Sequence, residues 1–194
     1  MKTKITILAI LFLSLSISKQ AKSQEKFTGF SVSPQLGYDF GSTGFIPIVP
    51  SGDVNFFMSD YIFSTSYIRV DELNLSSNSY EHNFVNFLFG KYIGNNYFRF
   101  QYQAGLGILW GTKRGKYLYT KKSKPGSLFP FSRNYYETEK YTTFNIPINF
   151  GFKFIPIRFM SLGVDFKLNI NGEHASFIPL LSVEFGYLRN KISK

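Results

Sequence analysis

Three stretches of the chain, residues 98–110, 144–154 and 160–170, alternate apolar and polar residues almost without error. Successive side chains of a β-strand point to opposite sides of a sheet, so a period of two predicts strands with one apolar and one polar face. Each stretch is also about as long as the ten residues that a tilted strand needs to cross a bilayer. The pattern therefore predicts membrane-crossing strands.

The chain begins with a segment typical of export signals. Lys2 and Lys4 precede an uncharged run over residues 5–17, and Ala21-Lys22-Ser23 supplies a cleavage site. We predict a signal peptide over residues 1–23 and an outer-membrane β-barrel domain over residues 24–194. The alternative is a membrane-anchoring helix, but about thirteen uncharged residues are too few to span a bilayer comfortably. The chain has no cysteine, which excludes disulfides and a lipid anchor on a modified cysteine.

Turn signals divide the rest of the chain into eight predicted strands. Their connections alternate between long and short, as in outer-membrane barrels that keep short turns and both termini on the periplasmic side. We therefore predict an all-β fold, an eight-stranded antiparallel up-and-down transmembrane β-barrel. The strands are expected at about residues 27–40, 53–58, 61–70, 82–92, 98–110, 144–154, 160–170 and 176–188.

Alternation alone does not say which face of the barrel is outside. A soluble, lipocalin-like barrel also alternates, with its apolar face turned inward to hold an apolar ligand. The 23 Phe and 13 Tyr residues carry too much volume for an eight-stranded interior. The other face is mostly Gly, Ser, Asn and Gln, which suits a narrow hydrogen-bonded lumen. We therefore expect the apolar face outside, and a soluble periplasmic barrel is the alternative.

The few strand charges fall on the predicted lumen face. An eight-stranded barrel is only wide enough to be filled by its own side chains, so we expect an internal salt-bridge and hydrogen-bond plug. The alternative is a narrow ion path. The residues of this predicted lumen network are Asp39, Arg99, Lys153, Asp165, Lys167 and Glu184.

Most of the excess positive charge lies in one predicted extracellular loop, residues 111–140. Tyrosines and phenylalanines interleave with its charges, and residues 116–120 and 135–138 are placed to extend the flanking strands beyond the membrane. The nearest anions outside an outer membrane are lipopolysaccharide phosphates and acidic glycans, so we expect an anionic surface partner and no nucleic acid. The alternative is a solvated loop that neutralises the surrounding headgroups. The basic residues of the predicted contact are Lys113, Arg114, Lys116, Lys121, Lys122, Lys124 and Arg133.

The strand that contains Ile146-Pro147-Ile148 resembles the PorT-like family of small outer-membrane β-barrel proteins from Bacteroidota-type bacteria. In that family a strand with an Ile-Pro-aliphatic core recurs at a similar point, two hairpins from the end. The resemblance implies a porin-like envelope barrel without catalytic residues. Insertion by the barrel assembly machinery is expected as well, with Val183, Phe185 and Tyr187 of the last strand as candidates for the assembly signal.

One motif is compatible with catalysis. His174 and Ser176 are similar to the His-x-Ser pair of outer-membrane lipid A deacylases, which are also eight-stranded barrels. No third orienting carboxylate is evident, so we expect no enzyme, and the hydrolase is an alternative. The other histidine, His82, is expected near a strand end on the exterior. No metal cluster or nucleotide loop is found in the sequence, so no cofactor is expected.

Overall fold

The computed structural model describes residues 27–40, 48–71, 81–121, 133–173 and 175–188. Eight strands form a closed barrel in which each pairs antiparallel with its sequence neighbours and β1 closes on β8. The predicted eight-stranded up-and-down barrel is therefore confirmed, whereas the predicted signal peptide lies outside the described residues. The strands are β1 Phe27–Tyr38, β2 Ile48–Met58, β3 Tyr61–Asp71, β4 Glu81–Gly94, β5 Phe98–Lys121, β6 Arg133–Ile157, β7 Met160–Asn171 and β8 Ser176–Gly186.

The three shortest turns, which join β2 to β3, β4 to β5 and β6 to β7, lie at one end of the barrel, together with the start of β1 and the end of β8. Ser59 enters the two-residue turn between β2 and β3 with a φ of 52°, as tight hairpins require. In the turn between β4 and β5, the Asn95 side-chain oxygen accepts hydrogen bonds from the backbone N–H groups of Tyr97 and Phe98, at 2.8 and 2.9 Å. Membrane barrels of this kind keep the short-turn end in the periplasm. Among the described residues there is no helix that would serve as a membrane span.

Three of the predicted strands are longer than expected. β2 begins at Ile48 rather than near residue 53, because its ladder with β1 runs through Pro50 and Gly52. β5 ends at Lys121 rather than near residue 110, and β6 begins at Arg133 rather than near residue 144. We predicted that both strands would extend into the long loop.

The outer surface of the barrel is apolar. Leu106 and Phe144 are 70% and 82% exposed, and the exposed residues of β5 on this face include Phe98, Phe100 and Ile108. A soluble protein rarely exposes an apolar surface of more than a few hundred Å². This exterior excludes the alternative of a soluble barrel with an apolar ligand cavity, and the apolar face is outside as predicted.

The interior is not polar throughout, contrary to our expectation. Nearer the long connections it contains an apolar layer whose members are at most 1% exposed, and the ring of Tyr141 packs against it. The same part of the lumen also holds Asn86, Asn145 and Asn169, which are buried and hydrogen bonded to one another. This apolar layer consists of Val49, Ile68, Val70, Phe84, Leu109, Ile178 and Leu180.

Candidate functional site

The barrel interior holds three buried ion pairs. Arg99 pairs with Glu184, Lys153 pairs with Asp165, and Lys167 pairs with Asp53, with 2.6 Å between Lys167 Nζ and Asp53 Oδ1. All six side chains are at most 4% exposed. Each pair joins two different strands, so the charges are neutralised across the lumen. These three ion pairs form the lumen network.

The Arg99–Glu184 pair has its remaining polar atoms largely occupied. Glu184 accepts hydrogen bonds from Ser31 and Ser161 at 2.5 and 2.7 Å. The guanidinium of Arg99 lies 4.7 Å from the ring centroid of Phe57, a cation–π contact. Buried charge is tolerated where pairing and hydrogen bonds replace hydration, and both carboxylate oxygens of Glu184 meet that condition.

The two lysine pairs are linked to each other through Gln35. Its side-chain amide donates to Asp53 at 2.8 Å and to Asp165 at 3.3 Å. Lys153 Nζ also donates to Ser182 Oγ at 2.6 Å. The two lysine pairs therefore belong to one connected hydrogen-bond network.

A glycine on the inner face makes room for this layer. A Cβ atom added at Gly151 would lie only 2.8 Å from the Gln101 side chain and closer still to the carboxylate of Asp165. Any side chain at this position would displace the acceptor of Lys153. The glycine therefore permits the charged side chains to fill the lumen.

Five of the six predicted lumen residues are members of the ion pairs. The sixth, Asp39, is buried just after β1 and does not belong to the three pairs. Asp53, the partner of Lys167, is absent from the predicted lumen network although it begins the predicted second strand. The alternation of Asp53 and Asn55 with apolar Val54 and Phe56 contained the signal for it.

β5 and β6 project beyond the barrel as a two-stranded ribbon, residues 113–121 and 133–144. β4 pairs with β5 only as far as Thr112, and β7 pairs with β6 only from Asn145 onward. Beyond these points the two strands pair with each other up to Lys121 and Arg133. Nine further residues of β5 give the ribbon about 30 Å of length along the strand.

Tyrosines form the middle of the ribbon. The rings of Tyr119 and Tyr135 are stacked with their centroids 4.7 Å apart, and Tyr117 and Tyr136 meet edge to face at 5.7 Å. Such cross-strand aromatic pairs stabilise a two-stranded ladder that has no other support. Tyr117 and Tyr119 remain more than half exposed, so the ribbon presents aromatic surface to its surroundings.

The ribbon also presents lysines to solvent. Lys116 and Lys140 are exposed and make no ion pair with a residue that the structure describes. Lys113, at its base, pairs with Glu173 at 2.7 Å, and this partner raises the pKa of Lys113.

The structure settles less about the other predicted basic residues. Arg114, Lys121 and Arg133 are on the two strands of the ribbon. Lys122 and Lys124 lie outside the described residues.

Tyr141 connects the ribbon to the barrel mouth. Its hydroxyl is hydrogen bonded to Nδ1 of His82, whose ring faces the inner side of β4 and not the exterior as we expected. Burial, reinforced by the charge of Glu173, raises the pKa of Tyr141 to about 12. The base of the ribbon is therefore held by the mouth of the barrel.

The hydrolase motif is only partly described. Ser176 is buried in the lumen, where Asn169 donates to its hydroxyl oxygen at 3.5 Å. His174 lies outside the described residues. Within the described ranges, no group of three or more His, Cys, Asp or Glu side chains is placed to hold a metal ion.

Comparisons with known proteins agree with the architecture. No protein-family model matches the chain, and no curated protein sequence matches it. The N-terminal β-barrel domain of Pseudomonas aeruginosa OprF superposes with a TM-score of 0.57 at 12% identity, covering 84% of this chain and 100% of that one. Neisserial surface protein A gives 0.57 at 11%, covering 83% and 96%. Ail, the attachment invasion locus protein of Yersinia pestis, gives 0.54 at 10%, covering 84% and 100%.

The likeness is one of fold, since each identity is far below 25%. The chain's own exterior supplies the second observation, an apolar surface that encircles a closed barrel. Only lipid satisfies such a surface, and closure leaves no strand edge unpaired within the membrane. The protein is an outer-membrane β-barrel.

Proposed function

We propose that the protein is a non-enzymatic outer-membrane barrel whose ribbon contacts an anionic partner at the cell surface, lipopolysaccharide or an acidic glycan. The observation that carries the proposal is the charge of residues 113–140, which hold eight basic and two acidic residues, a net charge of +6. The ribbon holds part of this charge beyond the membrane on a ladder rich in exposed tyrosine. Long-range attraction and aromatic contact area favour sugars that carry phosphate, sulfate or carboxylate groups.

One of the structural neighbours provides a precedent for the ligand class. Ail of Yersinia pestis has been solved in complex with the heparin analogue sucrose octasulfate. At 10% identity that complex says nothing directly about this chain, but it supplies a defined probe.

The test is binding of sucrose octasulfate and of lipopolysaccharide to the purified full-length barrel in detergent. Lys116→Gln with Lys140→Gln removes two exposed ribbon charges and lowers the net charge by two, and we expect affinity to fall by about tenfold at low salt, equal to about 1.4 kcal/mol. Arg158→Glu, in a short periplasmic turn, is the matched control and should bind like the wild type. Equal loss in both variants would show that net charge, and not the ribbon, drives binding.

We further propose that the lumen is a plug and not a conducting path. The ion pairs are mutually neutralised, and buried side chains, including the apolar layer, fill the lumen and leave no open water path in the part of the barrel that the structure describes. Planar-bilayer recordings of the reconstituted barrel should therefore show no unitary conductance. Regular conductance steps would contradict the plug and leave the ribbon proposal untouched.

The buried position of Ser176 argues against the hydrolase alternative. A lipid ester outside the barrel does not reach a hydroxyl that faces the lumen and is hydrogen bonded to Asn169. We expect unchanged lipid A acylation in a strain that lacks the protein. Loss of an acyl-chain modification of lipid A in that strain would support the hydrolase alternative.

The PorT-like resemblance and insertion by the barrel assembly machinery belong to the same proposal. Phe185 and Tyr187 are about half exposed at the periplasmic end of β8, where a terminal assembly signal is accessible. Replacing both with Ser should reduce the amount of folded barrel in the membrane. Unchanged amounts would place the assembly signal elsewhere.

A further inference from the structure

A groove of about 390 Å³ crosses the outer surface of the barrel between β2 and β5. It exists because two outward positions carry small residues, Thr65 on β3 and Ala104 on β5, where most neighbouring outward positions carry large apolar ones. The neighbouring large side chains therefore form the walls of the groove, and the two small residues leave space between them. The outward side chains that line it are Phe56, Phe63, Thr65, Phe87, Phe89, Ala104 and Leu106.

The groove lies at the middle of the membrane-crossing surface. Ala104 is halfway between Phe98 and Trp110 along the outward face of β5. Acyl chains are the molecules that surround the barrel at this depth. A chain that enters the groove gains dispersion contacts with the rings on both sides, and these contacts are lost if the groove stays empty.

A cation lies on the periplasmic side of the groove and adjoins it through Phe89, which lines the groove. Lys91 is two residues beyond Phe89 on the same face of β4, and its Nζ lies 4.8 Å from the ring centroid of Tyr61. Tyr61 stacks on Phe89 at 5.5 Å. The cross-strand partner of Lys91 on its other side is Tyr102, so two outward-facing phenols flank the ammonium group.

This arrangement matches the two chemistries of a membrane lipid. A lysine on the outer face of a barrel extends its ammonium group toward the headgroups, where phosphate is the available anion. Lys91 lies near the short-turn end of the barrel, so the headgroups within its reach are those of the periplasmic leaflet.

We propose that the groove and Lys91 form a binding site for one glycerophospholipid of the periplasmic leaflet. Its phosphate pairs with Lys91 between Tyr61 and Tyr102, and one acyl chain lies in the groove over Ala104. Lipopolysaccharide does not fit this site, because its phosphates lie at the opposite end of the barrel. The site is independent of the ribbon and its partner.

The test is native mass spectrometry of the detergent-purified barrel titrated with phosphatidylglycerol, and with diacylglycerol of the same chains as a phosphate-free probe. Ala104→Phe fills the groove and should lower the fraction that retains one phosphatidylglycerol by about tenfold. Val164→Phe adds a ring to the outward face of β7, on the far side of the barrel, and should retain the lipid like the wild type. Lys91→Gln should reduce retention of phosphatidylglycerol to the level of diacylglycerol.

Three results would overturn the proposal. Equal retention by Ala104→Phe and Val164→Phe would show that the groove does not bind the acyl chain. Equal retention of both lipids by the wild type would show that the phosphate makes no contact. A wild-type dimer that Ala104→Phe converts to a monomer would instead assign the groove to a second copy of the chain. Heat-modifiable gel mobility of each variant checks that the barrel is folded.

Discussion

The barrel contains two groups of basic side chains in opposite surroundings. In the lumen, Arg99, Lys153 and Lys167 are buried, and each faces a carboxylate. On the ribbon, Lys116 and Lys140 are exposed and have no acidic partner among the described residues. The same residue types therefore have different roles. In the lumen, pairing allows the charge to be buried, and on the ribbon the unpaired charge is available to a partner.

The largest effect is expected from breaking a lumen pair on one side. Glu184→Gln leaves Arg99 buried without its carboxylate, so the free energy of unfolding should fall by about 3–5 kcal/mol. Glu139→Gln on the ribbon is the matched control and should change it by less than about 0.5 kcal/mol. Urea unfolding of the barrel in lipid vesicles measures both, and equal effects would remove the distinction between the two regions.

Removing both partners of a lumen pair should do much less harm. Lys153→Met alone leaves Asp165 unpaired and should cost about 3 kcal/mol or more. Adding Asp165→Leu removes that buried charge, and we expect the double variant to recover most of the loss. The same unfolding experiment on the single and double variants closes the cycle. A double variant less stable than either single one would show that the pair itself stabilises the barrel.

A smaller effect is expected at the base of the ribbon when the pH rises. Burial raises the pKa of Tyr141 to about 12, above the value of about 10 in an unfolded chain. Its contribution to stability is therefore complete below about pH 10 and is lost as the pH rises through 12. Unfolding midpoints should fall more steeply over this interval for the wild type than for Tyr141→Phe. Parallel curves would mean that Tyr141 is not shielded by the barrel mouth.

The smallest effect is expected from the exposed pair at the ribbon base. Lys113 and Glu173 are both partly exposed, so salt screens their attraction. Any destabilisation caused by Lys113→Gln should disappear in molar salt, whereas that caused by Glu184→Gln should persist. If the destabilisation caused by Lys113→Gln persisted in molar salt, the Lys113–Glu173 pair would be shielded from solvent like the lumen pairs.

The sequence predicted the strands and their faces well because both are local properties. The period-two pattern of residues 98–110 identifies β5 and separates its apolar face from its polar face without knowledge of any other strand. The partners inside the lumen are not local. Glu184 meets Arg99 from β5, and Lys167 meets Asp53 from β2, only because closure of the barrel sets how the strands are staggered.

The apolar layer was missed for a different reason. Phe84, Leu109 and Ile178 occupy inward positions on three separate strands. In the sequence of any one strand, such a residue is only an exception on a polar face. The assembled barrel brings these residues into one cluster. The ribbon was easier to anticipate, because its strand extensions continue the pattern of the strands below them.

The measurement that tests the account most directly is labelling of single-cysteine variants on intact cells with a membrane-impermeant maleimide. The chain has no cysteine of its own, so the background is clean. We expect Lys116→Cys on the ribbon to react in intact cells and Asn96→Cys in a periplasmic turn to react only after the outer membrane is opened. Ser66→Cys, in the lumen, should react only after unfolding. Labelling of Asn96→Cys on intact cells without labelling of Lys116→Cys would invert the barrel and contradict the account.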